Sequence, residues 1–145
     1  MADRPMSVGV LMFVAHREME RRVMAALAAA GYDDITLAQA RVAERIAPGG
    51  SRLTELAEAA QVSKQTAGYL VDQLARAGYV ERVPDPTDGR ARLVRLAARG
   101  RELLPIADAT TAAVEREWAR HLGAPAMAQL RRHLTRLREI TDPYR

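Results

Sequence analysis

The stretch RVPDPTDGRARLVRL, from Arg82 to Leu96, decides the fold. It holds two prolines, two aspartates, one glycine and four arginines. The order Asp-Pro-Thr-Asp over 85–88 suits a type I turn, which favours Asp first and Pro second. Val94 and Leu96 share one face of an extended segment, because side chains alternate along a strand. These features predict a β-hairpin with strands at Tyr79–Val83 and Arg92–Leu96.

Two short helices are predicted directly before this hairpin. The first covers residues 53–60, and Gln61 with Val62 forms a turn. Ser63 can accept a bond from a free N–H of the second helix, which Gly78 ends. The apolar residues of this second helix recur at helical spacing, at Ala67, Leu70, Val71, Leu74 and Ala77. Two helices with a tight turn, followed by a hairpin, indicate a winged helix-turn-helix.

The rest of the chain is predicted to be helical. One helix spans Val8–Ala30, and the capping box TLAQ starts another at Thr36. A long helix runs over Ala98–Leu122 with a bend at Pro105, which cannot donate a backbone bond. Pro125 suits the first turn of a last helix. The predicted fold class is therefore mostly α with a small β-hairpin wing.

Composition limits the classes of function. The 145 residues suit one domain; 48% are hydrophobic and 28% charged, and the net charge is +4. A basic excess permits an anionic partner without requiring one. The absence of cysteine excludes disulfides, thiolate metal sites and thiol redox chemistry. The N-terminal residues show no signal peptide or membrane span.

No catalytic set is visible in the sequence. The three histidines, at 16, 121 and 133, are scattered. Metal-ligand spacing, a glycine-rich phosphate loop and a paired Ser/His or Cys/His set are all missing from the pattern. We therefore expect no enzyme, no cofactor and no metal site.

The outer face of the second helix carries side chains that suit DNA. Gln can pair with adenine, Lys can reach guanine or phosphate, and Thr can meet a thymine methyl group. A solvated helix face would also be polar, so this face alone leaves both interpretations open. The hairpin favours DNA, because residues 84–101 hold five arginines against two aspartates. The polar face consists of Lys64, Gln65, Thr66, Tyr69, Gln73 and Arg76.

The stretch PDPTDGRARLVRLAARG, residues 84–100, resembles the wing signature of the MarR (multiple antibiotic resistance regulator) family. The preceding LTELAEAAQVSKQTAGYLVDQLARAGYVERV, residues 53–83, resembles the helix-turn-helix of that family. The resemblance implies a cytoplasmic homodimer, with N- and C-terminal dimerisation helices, that binds a pseudo-palindromic double-stranded DNA operator. It also implies a division into 1–34 (dimerisation helix), 35–100 (DNA-binding lobe) and 101–145 (dimerisation helices) within one compact chain.

The resemblance assigns roles to single residues. Arg90 corresponds to the wing arginine that enters the minor groove, and Asp88 to the acid that braces a neighbouring arginine, here Arg92. The implied DNA contacts are Ser63, Lys64, Gln65, Thr66, Tyr69, Gln73, Asp88, Arg90 and Arg92. Two positions depart from the family pattern: Ala97 lacks the hydroxyl that usually caps the helix after the wing, and Gln61 stands where glycine is common. The cysteine of the family's peroxide sensors is absent.

Members of the family often bind small phenolic or anionic effectors that release DNA. Met12, His16 and Met19 could line such a site, because methionines adapt to varied ligands. Ordinary packing is the alternative for these three residues. The function implied is a repressor that a small molecule releases from its operator, with no membrane contact. The alternative is a constitutive or architectural DNA-binding protein without an effector.

Overall fold

The computed structural model describes residues 4–143. The predicted fold class is confirmed, since helices dominate and one antiparallel hairpin is present. No helix in this range is long and apolar enough to cross a membrane. The elements are α1 (Val8–Ala29), α2 (Leu37–Ala43), α3 (Leu53–Ala60), α4 (Lys64–Arg76), β1 (Val80–Asp85), β2 (Asp88–Leu96), α5 (Ala98–Arg101), α6 (Leu103–Leu122) and α7 (Ala124–Thr141).

The chain divides into two compact units. One unit is Met24–Ala107 and contains α2 to α5. The other consists of the described parts of Met1–Val23 and Asp108–Arg145, and it contains most of α1 and α6 and all of α7. The division into residues 1–34, 35–100 and 101–145 refers to function and stays a prediction.

The core of the unit Met24–Ala107 is built around α4. The predicted apolar stripe of this helix is buried at Ala67, Leu70, Val71 and Leu74, and α4 packs on α2 and α3. Burying each large aliphatic side chain contributes about 1.5–3 kcal/mol. Because the apolar stripe packs on α2 and α3, the opposite side of α4 faces solvent.

Local signals set the helix ends as predicted. Thr36 and Gln39 form the reciprocal capping box of α2, with N···O distances of 3.1 and 3.2 Å. Ser63 caps α4 by accepting a bond from the backbone N–H of Thr66 at 3.0 Å. Gly78, with φ +81°, follows α4 and reverses the chain into the hairpin.

The helix after the wing differs from the prediction. We expected one helix over Ala98–Leu122 with a bend at Pro105. Instead the helix is interrupted between Arg101 and Leu103, which separates α5 from α6. Pro105 has no N–H for the carbonyl of Arg101, and its ring would clash with that carbonyl. The interruption therefore falls one turn before the proline, and Pro105 lies in the first turn of α6.

The hairpin is longer than predicted. β1 extends to Asp85 and β2 begins at Asp88, so only Pro86 and Thr87 lie between them. Pro84 is tolerated within β1 because this strand has a partner on one side only. The pairing register shifts between Pro84 and Asp85, next to the turn.

Ser51 adds a one-residue bridge to the other edge of β2, which the sequence did not predict. It exchanges two backbone bonds with Val94, at 2.9 and 2.8 Å. Gly50 precedes it with φ +99°, and a Cβ there would lie 3.1 Å from the Cβ of Leu93. The bridge fixes the wing against the start of α3.

A polar cluster holds the root of the hairpin. The hydroxyl of the buried Tyr79 donates to Asp34, whose two carboxylate oxygens also accept bonds from Arg99 at 2.8 and 3.0 Å. The Arg99 guanidinium lies 4.3 Å from the centre of the Tyr79 ring. These bonds lower the pKa of Asp34, Arg99 being the larger cause, whereas burial and the bond to Asp34 raise the pKa of Tyr79. Gly100 packs so closely here that a Cβ would lie 2.1 Å from the Tyr79 carbonyl oxygen.

Candidate nucleic-acid interface

Helix α4 presents four of the predicted DNA-contact residues to solvent. Because its other side is buried, Lys64, Gln65, Thr66 and Tyr69 are all exposed, and Tyr69 is 60% exposed. Ser63 lies at the N-terminus of the helix, where its hydroxyl also donates to the Thr66 hydroxyl at 2.9 Å. The free N–H groups of this first turn favour an anion. The structure thus brings these side chains together on one open surface.

Gln73 is placed differently from the other predicted contacts on α4. It is half-buried, and both ends of its amide have partners inside the protein. Its Oε1 accepts a bond from Gln39 at 3.0 Å, and its Nε2 donates to the Tyr69 hydroxyl oxygen at 3.0 Å. A base contact by Gln73 stays a prediction, and it would have to compete with these two bonds.

The wing carries the other three predicted residues, Asp88, Arg90 and Arg92, all of them exposed. Asp88 accepts the backbone N–H of Arg90 at 3.1 Å, which shapes the start of β2. Within residues 4–143, no ion pair joins Asp88 to Arg92, the partner implied by the resemblance, and this pairing stays a prediction.

Asp85, which the sequence indicated only as a turn residue, pairs with an arginine. It is 6% exposed, and its Oδ2 accepts two bonds from Arg52, at 3.1 and 2.9 Å. Its Oδ1 accepts from the backbone N–H and the hydroxyl of Thr87, at 2.8 and 2.7 Å. The Thr87 bonds first, and then Arg52, lower the pKa of Asp85 to about 2. The wing tip is thereby tied to the N-cap residue of α3.

Helix α4 and the wing carry cations that no ion pair among the described residues neutralises. Several arginines of this unit are neutralised, including Arg82 by Asp72, Arg95 by Glu81 and Arg99 by Asp34. Within residues 4–143, no ion pair engages four cations of the helix and the wing, which are Lys64, Arg76, Arg90 and Arg92. Such a surface attracts the phosphate backbone of a nucleic acid.

A separate cavity lies in the other unit and brings together the predicted effector residues Met12, His16 and Met19. It measures about 510 Å³, a size typical of small-molecule pockets. The side chain of His16 lies 3.6 Å from the Glu20 carboxylate. The remaining lining residues are Val8, Leu11, Ala15, Trp118, Leu130 and Leu134. In the part of the chain that the structure describes, no cluster of His, Asp or Glu is placed to hold a metal ion.

Comparison with protein families matches residues 33–91, from before α2 to the wing, to the MarR family. A search of curated proteins found no match. Among solved structures, the apo form of wild-type MarR from E. coli is 26% identical, covering 92% of this chain and 98% of its own, with a TM-score of 0.73. RV1404 from Mycobacterium tuberculosis is 25% identical, with coverages of 98% and 99% and a TM-score of 0.70. The transcriptional regulator Tm0710 from Thermotoga maritima is 24% identical, covers 92% and 93%, and has a TM-score of 0.63.

Proposed function

We propose that this chain, a MarR-family DNA-binding transcriptional regulator, is a homodimeric repressor that a small molecule releases from its operator. The observation that carries the proposal is the unpaired cationic surface formed by α4 and the wing. The multiple antibiotic resistance repressor MarR, which is 24% identical, shares this fold with a TM-score of 0.72.

Helix α4 enters the major groove in this proposal. Its N-terminal turn approaches a phosphate, and Lys64, Gln65 and Thr66 reach base edges. The wing then lies over the adjacent minor groove, where Arg90 inserts. Narrow A·T-rich minor grooves attract arginine most strongly, because their negative potential is enhanced.

A second copy of the chain is the proposed partner of the unit that contains α7. This unit exposes many large apolar side chains, and exposed apolar patches mark interaction surfaces. Ile140 on α7 is 84% exposed and Phe13 on α1 is 56% exposed. A symmetric dimer presents two α4 helices, which would read two half-sites about 34 Å apart on a pseudo-palindromic operator. Other large apolar side chains exposed on these two helices are Val8, Val10, Leu11, Met12, Val14, Leu130, Leu134 and Leu137.

The cavity at Met12, His16 and Met19 is the proposed effector site. Its apolar lining suits an aromatic ring, and His16 offers a polar contact to a phenolic or anionic group. An effector that binds better to a DNA-incompetent arrangement shifts the population toward it and lowers operator affinity. We place this regulation in the cytoplasm.

The test begins with a selection of bound DNA from a random pool, with and without simple phenols and aromatic carboxylates. We expect a two-fold symmetric site and its release by one of these compounds. The matched control is Met19→Trp, which fills the cavity and changes no residue of α4. This variant should bind the selected DNA as the natural chain does and should no longer be released.

Two outcomes separate the parts of the proposal. Selected DNA that no compound releases favours the constitutive or architectural alternative. Selection of no DNA above non-specific affinity overturns the regulator itself.

A further inference from the structure

The hydroxyl of Tyr69 is connected to the N-terminus of α2 by a chain of hydrogen bonds. The backbone N–H of Thr36 donates to Gln39 Oε1 at 3.1 Å. Gln39 Nε2 donates to Gln73 Oε1 at 3.0 Å, and Gln73 Nε2 donates to the Tyr69 hydroxyl oxygen at 3.0 Å. These hydrogen bonds lead from a buried glutamine to an exposed phenol on the polar face of α4.

Chemistry fixes the direction of every bond in this chain. A backbone N–H can only donate, so Gln39 must turn its oxygen toward Thr36. Its NH₂ group then faces Gln73, which must offer its oxygen. The NH₂ group of Gln73 therefore faces Tyr69, and the phenol oxygen accepts.

These bond directions determine where the single proton of the Tyr69 hydroxyl points. Because the oxygen accepts from Gln73, the O–H bond points elsewhere. Within residues 4–143 it donates to no acceptor among the hydrogen bonds of the structure, and the side chain is 60% exposed. Gln39, by contrast, is only 7% exposed, so the first side chain in this series of hydrogen bonds is held rigidly in the core.

We propose that Tyr69 is a preset hydrogen-bond donor to DNA and that Gln73 is the positioning residue that sets its polarity. This inference rests on the proposed function and deepens it. The recognised group is a hydrogen-bond acceptor, either a major-groove atom (N7 or O6 of a purine, O4 of thymine) or a phosphate oxygen. The amino groups of cytosine and adenine, which are donors, do not fit.

The bond between Gln73 and Tyr69 is testable in the free protein. We expect Tyr69→Phe, which keeps the ring, to shift the side-chain amide proton resonances of Gln73 in an NMR spectrum. The amide of Gln129, which is exposed on α7, serves as the internal control and should not move. Unchanged Gln73 resonances would show that Gln73 does not bond to Tyr69 in solution. That result would overturn the inference without a DNA-binding measurement.

The role in binding is tested with Tyr69→Phe, Gln73→Met and the double variant on the selected operator. Each single variant should weaken binding by about three- to tenfold, the range for one neutral hydrogen bond. The double variant should be no weaker than the stronger single variant, because both changes remove the same contact. Thermal unfolding of each variant shows whether the fold is retained.

Losses that multiply in the double variant would overturn the proposal, since Gln73 would then contact DNA by itself. Unchanged affinity of a folded Tyr69→Phe variant would also overturn it. A second selection with Tyr69→Phe distinguishes the two acceptors: relaxed preference at one base pair indicates a base atom, and uniform weakening indicates phosphate. If the natural chain selects no DNA, the proposed function fails instead, and the amide shift still reports on the bond.

Discussion

Gln61 adopts a left-handed backbone conformation between α3 and α4, with φ +56° and ψ +44°. It is the single residue other than glycine with positive φ in the described range 4–143. Its side-chain amide donates to the Glu58 carbonyl at 2.6 Å, which offsets part of the strain. The sequence indicated this strain because glycine is common at the turn.

We expect Gln61→Gly to raise the free energy of unfolding by about 1 kcal/mol, because glycine adopts positive φ without a steric cost. Ala75→Gly, inside α4, is the control and should lower it by about 1 kcal/mol. Denaturant unfolding measures both. A Gln61→Gly variant less stable than the natural chain would show that the amide bond to Glu58 outweighs the strain.

Asp85 ties the wing to α3 in a pH-dependent way. Its folded pKa, about 2, lies below the ordinary value of 3.8. Its stabilising contribution is therefore complete above the unfolded pKa and is lost as the pH falls through about 2. An NMR titration of the Asp85 carboxyl carbon should show this midpoint, with Asp85→Asn as the spectral control. A midpoint near 4 would contradict the bonds to Thr87 and Arg52.

At the scale of elements, α5 is a four-residue helix with an imperfect start. Its N-cap, Ala97, has the extended backbone of a capping residue (φ −79°, ψ 176°) and makes no side-chain bond. We expect Ala97→Thr to stabilise the fold by about 1 kcal/mol. Ser63→Ala is the comparison variant. It removes the cap of α4 and should lower the free energy of unfolding by about the same amount. Thermal unfolding of the two variants should move in opposite directions, and a common direction would contradict the capping account.

Elements that depend on short-range signals could be predicted from the sequence. The caps at Thr36 and Ser63, the stripe of α4 and the hairpin all follow from residues close together in the chain. Contacts across the chain could not be predicted, because they depend on packing. Arg52 meets Asp85 from 33 residues away, and Gln39 meets Gln73 from 34 residues away.

The difference between short-range signals and long-range contacts also explains which parts of the candidate site could be predicted. Sequence reasoning placed Lys64, Gln65, Thr66 and Tyr69 on an outer face, because helical periodicity alone determines which side is buried. It could not show that Gln73 is engaged within the protein, since its partner Gln39 lies on another helix. It assigned a bracing role to Asp88, which stays a prediction, and it did not predict the ion pair of Asp85 with Arg52.

At the scale of the whole molecule, the exposed apolar side chains of α1 and α7 predict self-association. Ile140→Glu combined with Phe13→Glu should convert the proposed dimer to monomers, because each charge would be buried at the interface. Leu37→Glu, on α2 and 38% exposed, is the control and should leave the mass unchanged. Sedimentation equilibrium measures the outcome. A natural chain that sediments as a monomer would contradict the dimer.

The central claim is that the unpaired cations of α4 and the wing neutralise DNA phosphates and enter a groove. Its most direct test is the fluorescence anisotropy of the selected operator, measured against salt concentration for the natural chain, Arg90→Ala and Arg95→Ala. Arg95 is paired with Glu81 at 2.7 Å and serves as the control. We predict that affinity falls steeply with salt, and that Arg90→Ala costs about 1–3 kcal/mol and reduces the slope by about 1, while Arg95→Ala changes little. A flat salt dependence, or equal effects of the two arginine variants, would contradict the account.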